Sequence, residues 1–176
     1  MPKIIEHAKE RLLEEAREML FSQGYRRLNI RDVAKRCRMA TGTVYNYFPS
    51  KEVLTAQIIL EDWTKALSQM RRAAQAGDRM AGLRGVYQEL AAFQEKYRPI
   101  FGESESAAVF SHYAQWHARL REQVAQALDA TGERAIPEPE RTAAAQLYLT
   151  GTTEGWDFPV LEKLIKKFLQ EKGECT

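Results

Sequence analysis

The sequence predicts an all-α protein of about nine helices, divided into a small N-terminal head and a larger C-terminal body. Apolar residues recur at spacings of three and four through most of the 176 residues, as they do on one face of a helix. No stretch alternates apolar and polar residues as a half-buried strand does. Hydrophobic residues make up 44% of the chain and charged residues 28%, which is typical of a globular protein rather than a disordered one.

The first predicted helix covers residues 3–23. Gly24 follows it and favours its termination, because glycine adopts left-handed backbone angles without steric cost. The apolar residues of this helix fall at spacings of four and three, which places them along one stripe: Ile5, Ala8, Leu12, Ala16 and Met19.

Residues 29–48 predict two short helices joined by a tight turn. Asn29 is a favourable N-cap for the first helix, and Asp32 lies near the positive end of its dipole. The second short helix has the sequence TGTVYNYF, in which Val44 and Phe48 are apolar and four residues apart, so both face the core. This layout is that of a helix-turn-helix, which places its second helix in the major groove of DNA.

Glycine and proline divide the rest of the chain into five further helices. Ser50 is predicted to cap the first of them, and Gly77 to end it. Pro99 is expected to end the second, because the residue before a proline avoids helical backbone angles. Pro139 suits the first turn of the fourth. The predicted ranges are 51–75, 79–97, 103–130, 139–154 and 158–171.

Charge is distributed unevenly along the chain. Residues 1–51 hold 11 Lys and Arg against 6 Asp and Glu, a net charge of +5, whereas the remainder carries −3 within a total of +2. A basic head on a mildly acidic body is typical of a nucleic-acid contact at one end. Cations clustered by chance on a solvated face would give the same numbers.

No motif indicates catalysis, a cofactor or a metal site. The chain lacks a glycine-rich phosphate loop, a nucleophile elbow and a zinc signature, so we expect no enzyme. Cys37 and Cys175 lack metal or redox spacing, and His112 and His117 lie five residues apart rather than four. Without a long apolar run or an apolar signal segment, the expected location is cytoplasmic, with no membrane contact.

The second short helix carries side chains suited to DNA. Asn46 can form two hydrogen bonds with adenine, and the ring edge of Tyr45 can contact a thymine methyl group. Hydroxyl groups and cations around them can contact phosphates, which position a protein without specifying sequence. On pattern alone, the tyrosines could also be core residues and the cations solvated surface. The predicted DNA-binding residues are Arg31, Thr41, Gly42, Thr43, Tyr45, Asn46, Tyr47 and Lys51.

This segment resembles the TetR family of bacterial transcriptional regulators. In the turn, Arg38 stands where the family favours glycine, and Ala40 stands where it favours a serine that caps the next helix. Loss of a cap costs about 0.5–2 kcal/mol, so Thr41 is expected to take over the capping. The motifs that carry the resemblance are Gly24-Tyr25, IRDVA at 30–34, GTVYNYF at 42–48 and Ser50-Lys51-Glu52.

The resemblance implies two domains with separate roles. Residues 1–50 would form the DNA-binding domain, with its motif at about 29–48, and residues 51–176 would bind an effector and form a homodimer. By analogy with the family, a repressor would leave a palindromic operator in double-stranded DNA when a small apolar or aromatic effector binds. The alternative is a constitutive DNA-binding or protein-interaction module without a small-molecule ligand.

Two sets of body residues are candidates for the dimer and the effector pocket. The last helix has a wide apolar face, and small residues on one face of the helix before it allow close approach of a second helix. Together they predict a dimer interface of Ala144, Tyr148, Gly151, Leu161, Leu164, Ile165 and Phe168. The aromatic residues of the central helices predict a pocket lined by Trp63, Tyr97, Phe101, Phe110, Tyr113 and Trp116. A plain core and an intramolecular bundle would bury the same residues.

Overall fold

The computed structural model describes residues 7–75, 78–103, 113–129 and 136–170, with side chains for all of these except 101–103, 113–117 and 170. Within those ranges the chain forms eight helices and no strand, so the predicted all-α class is confirmed. The helices are α1 (Ala8–Gln23), α2 (Ile30–Arg36), α3 (Thr41–Tyr47), α4 (Lys51–Ala74), α5 (Arg79–Glu103), α6 (Tyr113–Leu128), α7 (Glu138–Thr153) and α8 (Phe158–Gln170).

The helices divide between two compact units. The first unit holds the chain up to Trp63 together with a later segment that begins at Lys96. The second holds Thr64–Glu95 and the chain from Ala114 onwards. Helices α4 and α5 each continue from one unit into the other, so the division falls inside both of these helices.

The first unit is built on the apolar stripe of α1. Leu12, Ala16 and Leu20 are fully buried at a spacing of four, and Gly24 ends the helix with a φ of 86°. The predicted start of this helix at residue 3 lies outside the described residues. The same unit also buries Val33 of α2, Val44 of α3 and, from α4, Leu54, Ile58 and Ile59.

A buried carboxylate joins three helices of the first unit. Asp62 of α4 pairs with Arg17 of α1, and it accepts hydrogen bonds from Lys96 Nζ at 2.6 Å and Tyr97 Oη at 2.7 Å, both on α5. Burial alone would raise the pKa of Asp62, but the hydrogen bonds and the neighbouring positive charges outweigh it, so the pKa lies below its usual value. Asp62 is therefore ionised at neutral pH.

The prediction that Pro99 ends a helix is wrong. Helix α5 continues through Pro99 to Glu103. Tyr97 and Ile100 are buried on either side of the proline, at 0% and 3% exposure. Packing on both sides therefore fixes helical geometry that the local preference of the residue before a proline opposes.

The second unit contains a close approach of α7 to α8. Gly151 of α7 lies against Leu161 and Trp156, and a Cβ placed on it would be 2.6 Å from Trp156 Cε3. Tyr148 Oη donates a hydrogen bond to the Leu83 carbonyl oxygen at 2.7 Å, which ties α7 to α5. No helix within the described ranges is both long enough and apolar enough to cross a membrane.

Candidate nucleic-acid interface

Helix α2 begins at the N-cap predicted from the sequence. The Asn29 side-chain oxygen accepts a hydrogen bond from the Asp32 backbone N–H at 2.9 Å, and the Asn29 backbone is extended. Ile30, Val33 and Ala34 are buried, which leaves the polar face of the helix towards solvent. The cap and the apolar face together fix where α2 starts and how it is rotated.

The turn after α2 has the hydrogen bonds of a Schellman motif. The Arg38 N–H donates to the Lys35 carbonyl oxygen at 3.1 Å, and the Met39 N–H donates to the Ala34 carbonyl oxygen at 2.9 Å. Arg38 has a φ of 55°, in the left-handed region that this motif requires. Glycine usually occupies that position because it has no Cβ to clash.

Helix α3 buries two apolar residues and turns its polar face outward. Val44 is fully buried and Phe48, just after the helix, is 2% exposed. Tyr45 is 46% exposed, and Asn46 is also exposed. Of the other residues predicted for this helix, Gly42 is exposed, and Thr41, Thr43 and Tyr47 are half-buried.

The expectation that Thr41 caps α3 is wrong. The N-cap is Ala40, whose extended backbone offers its carbonyl oxygen to the N–H groups of Thr43 and Val44 at 2.9 and 3.3 Å. No side chain caps this helix. Thr41 lies one residue too late to serve, because it is already the first helical residue.

Lys51, at the start of α4, is held by Tyr25. Its Nζ donates a hydrogen bond to the Tyr25 carbonyl oxygen at 3.2 Å and lies 4.1 Å from the centre of the Tyr25 ring. The Tyr25 hydroxyl in turn donates to Glu52 Oε1 at 3.3 Å. The ammonium is therefore positioned by contacts from a distant turn of the chain, which the sequence pattern did not indicate.

Some cations of the head pair with acids, and others do not. Arg17 pairs with Glu61 and Asp62, and Arg36 pairs with Glu15 and Glu18 across the gap between α1 and α2. Within the part of the chain that the structure describes, four others between residues 27 and 38 form no side-chain hydrogen bond or ion pair. These unpaired cations are Arg27, Arg31, Lys35 and Arg38. Of these four cations, the sequence predicts only Arg31 as a DNA contact. Which cations remain unpaired depends on acids from other helices, and the sequence pattern does not show these contacts.

Cys37 is buried beneath the turn. It is 3% exposed, and its Sγ lies 3.7 Å from the Arg11 carbonyl oxygen. Burial raises the pKa of the thiol, and the charge of Glu15 adds to the effect. The side chain packs as a small apolar residue.

The residues predicted to line a pocket are only partly described. Trp63 and Tyr97 are both buried in the first unit, at 4% and 0% exposure. The Tyr97 hydroxyl donates a hydrogen bond to Asp62. Burial, and to a smaller extent the interaction with Asp62, raises the pKa of Tyr97 far above its usual value. The remaining four lie outside the described side chains: Phe101, Phe110, Tyr113 and Trp116.

The residues predicted for a dimer interface separate into an inner and an outer set. Leu161 and Ile165 of α8 are buried inside their own unit. The other inner residues, all on α7 and all buried, are Ala144, Tyr148 and Gly151. Leu164 and Phe168 are half-buried, and Val160 joins them at the same spacing with 50% exposure. We call Val160, Leu164 and Phe168 the outer stripe.

Comparison with known proteins decides what the head is. The family model described as "Bacterial regulatory proteins, tetR family" matches residues 12–58, from α1 into α4. The HTH-type transcriptional regulator UidR of Escherichia coli (strain K12) is 38% identical over 61 residues. The head therefore matches the TetR family over residues 12–58. The matched segment is 35% of this chain and 31% of UidR, so the chain matches only about a third of that relative's length.

Solved structures extend the similarity in fold beyond the head. The TetR-family regulator PfmR from Thermus thermophilus has a TM-score of 0.55 at 20% identity, over 92% of this chain and 95% of PfmR. The multidrug binding protein EbrR, crystallised with imidazole, has a TM-score of 0.57 at 15% identity, over 92% and 94%. At these identities the likeness shows a shared fold alone.

Proposed function

We propose that this protein is a sequence-specific DNA-binding regulator of the TetR type, acting in the cytoplasm as a repressor that a small-molecule effector releases from a palindromic operator. One observation carries the proposal. Helix α3 lies in the segment that matches the family, buries Val44, and presents Tyr45 and Asn46 to solvent. An exposed aromatic and an exposed amide on a short second helix are suited to the edges of bases.

The surroundings of α3 supply contacts for the DNA backbone. Thr41, Thr43 and Tyr47 are half-buried residues of the same helix, and their hydroxyls can donate to phosphates. Lys51 has three N–H donors, of which one is engaged by the Tyr25 carbonyl oxygen, so two are left for a phosphate. The contact with Tyr25 therefore orients the ammonium without removing its capacity to bind.

The outer stripe supports a two-fold dimer. Val160, Leu164 and Phe168 share one face of α8 and keep apolar area at the surface after the inner set has packed within its own unit. A matching stripe from a second copy would cover that area. The dimer would present two copies of α3 to two half-sites of a palindrome, about one helical turn apart.

A buried amide in the second unit supports an effector site. Gln123 of α6 is 2% exposed, and its Oε1 has no hydrogen-bond partner among the described residues. Leaving such an atom buried and unpaired costs free energy, which a ligand with a donor group would recover. Ligand pockets are mostly apolar with a few polar anchors of this kind.

Removing the Tyr45 ring tests the DNA-reading role of α3. The operator is first recovered by selection from a random duplex pool, and affinity is then compared for that duplex and a random duplex of equal length. Tyr45→Ala should lower the preference for the selected duplex by about 1–3 kcal/mol, because base-edge contacts specify sequence. Thermal stability should change little, since the ring is 46% exposed.

Phe21 provides the matched control. It is an aromatic residue of the same unit, 40% exposed, on α1 rather than α3. Phe21→Ala should leave the preference for the selected duplex unchanged even if it alters stability. A Tyr45→Ala protein that keeps the full preference would contradict the assignment of α3.

Operator affinity across an effector panel separates the proposed repressor from the constitutive alternative. A compound can shift binding only by its differential affinity for the two conformations of the protein. Any active compound should lose its effect in a Gln123→Leu variant. Unchanged affinity with every compound would favour a constitutive DNA-binding module.

A further inference from the structure

The turn between α2 and α3 holds an arginine under steric strain. Arg38 has a φ of 55° at the position of the Schellman motif where glycine is usual. A residue with a Cβ adopts this conformation only at a steric cost that glycine avoids. Strained residues of this kind persist where the structure or the function requires that side chain.

No contact among the described residues accounts for the arginine. Its side chain is exposed and makes no hydrogen bond or ion pair within the ranges that the structure describes. Arg36, two residues earlier, pairs with Glu15 at 3.5 Å and Glu18 at 3.0 Å. Among the described residues, acids therefore pair with Arg36 and none pairs with Arg38.

Arg38 stands close to the face that we propose binds DNA. It lies three positions before Thr41, the first residue of α3, so its Cα lies within about 11 Å of that residue. The nearby Lys35 is also unpaired among the described residues. An unpaired guanidinium is well matched to a phosphate, because its planar fork donates two parallel hydrogen bonds.

We propose that Arg38 contacts a phosphate of the bound DNA and adds one backbone contact per protomer to those made from α3 and Lys51. The inference rests on the proposed function. It identifies the departure from the family's turn glycine as a gain in DNA affinity obtained at the expense of stability. A phosphate contact strengthens binding to all sequences about equally, since it does not read bases.

Two substitutions separate the charge of Arg38 from its strain. Arg38→Gly removes both, and Arg38→Gln removes the charge and keeps a Cβ at positive φ. In each variant the slope of log affinity against log salt should fall by about 0.9 per phosphate contact, or about 1.8 for a dimer. The urea midpoint should rise in Arg38→Gly alone, because glycine adopts the left-handed conformation freely.

The probes are the selected palindromic duplex and a random duplex of the same length, with Arg121→Gln as the control. Arg121 is an exposed arginine of α6, far along the chain from the head, and its loss changes net charge equally. That variant should keep the wild-type slope and midpoint. The proposal is overturned if both Arg38 variants bind both duplexes with the wild-type slope.

The Tyr45→Ala protein distinguishes failure of this inference from failure of the proposed function. If Tyr45→Ala loses sequence preference while the Arg38 variants bind as the wild type does, only the Arg38 contact is wrong. If the wild type itself shows no salt-dependent affinity for either duplex, the proposed function fails and the Arg38 contact fails with it.

Discussion

At the scale of single residues, Gly151 shows that packing decides which contact a residue makes. The sequence placed Gly151 at a dimer interface because small residues allow helices to approach. In the structure the approach is to Leu161 and Trp156 of the same unit. Gly151 is buried, so the helix pair α7 and α8 depends on the absence of a Cβ at this position.

Gly151→Ala should destabilise the protein by about 1–3 kcal/mol, as overpacking of a filled core does. The added Cβ would crowd Leu161 Cδ2 and lie 2.6 Å from Trp156 Cε3, so these side chains would have to shift. Urea denaturation measures the change in the free energy of unfolding. Gly42→Ala is the control, since no atom lies within 4 Å of a Cβ there, and it should stabilise by about 0.5–1 kcal/mol. Equal effects of the two substitutions would contradict the packing argument.

At the scale of helices, the Asp62 cluster connects α1, α4 and α5 within the first unit. Arg17, Lys96 and Tyr97 converge on one carboxylate that is 8% exposed. Lys96 also lies 4.8 Å from the centre of the Phe21 ring, and Phe21 packs edge-on against Tyr97. The end of α5 is thereby fixed to α1 by both charge and aromatic contacts.

Asp62→Asn should destabilise the protein by about 2 kcal/mol at neutral pH, less than for a fully buried pair because Lys96 is half exposed. The lowered pKa of Asp62 sets the pH range in which its carboxylate stabilises the fold. The carboxylate contributes fully above the unfolded-state pKa of about 3.9, and its contribution disappears as pH falls through the lower folded-state value. The difference in unfolding free energy between wild type and variant should therefore shrink in acid.

Glu61→Gln is the matched control for that series. Glu61 pairs with the same Arg17 at 2.9 Å, but its side chain is 35% exposed. Its loss should cost less than about 1 kcal/mol, as for other solvent-exposed pairs. A difference between wild type and Asp62→Asn that stays constant into strong acid would rule out an ionised Asp62 as its source.

Local interactions were predictable from the sequence, and tertiary ones were not. Asn29 and Ser50 cap their helices as expected, because a cap depends on residues three positions apart. The prediction that Pro99 ends a helix is wrong because packing around Tyr97 and Ile100 keeps α5 helical. The prediction that Thr41 caps α3 is wrong because the helix starts one residue earlier than a Thr41 cap would require. Which cations remain unpaired depends on acids from other helices, so the sequence could not separate Arg36 from Arg38.

At the scale of the whole molecule, the proposed binding to a palindrome needs two heads and therefore a dimer, and the outer stripe is the proposed dimer contact. Periodicity identified the apolar residues of α8 but could not divide them. The structure assigns Leu161 and Ile165 to the interior and leaves Leu164 half-buried. The proposed dimer surface is accordingly narrower than the set predicted from the sequence.

Leu164→Arg should convert a dimer to a monomer in sedimentation experiments, because a charge at a buried contact lacks a partner. As dimerisation is lost, affinity for the selected palindrome should fall, while the helix content measured by circular dichroism should stay the same. Lys163→Glu, a charge change at the neighbouring exposed position, should leave the dimer intact. A Leu164→Arg protein that remains dimeric would exclude the outer stripe as the interface.

The burial of Cys37 gives the head a chemical reporter of its own motion. Thiol reagents attack the exposed thiolate, and Cys37 is 3% exposed with a raised pKa, so modification requires the head to open. In a Cys175→Ser variant Cys37 is the remaining cysteine, so the rate of alkylation reports how often the helix-turn-helix opens. DNA that binds only the closed head slows those events in proportion to its occupancy, so one reactive atom measures both local unfolding and ligand protection.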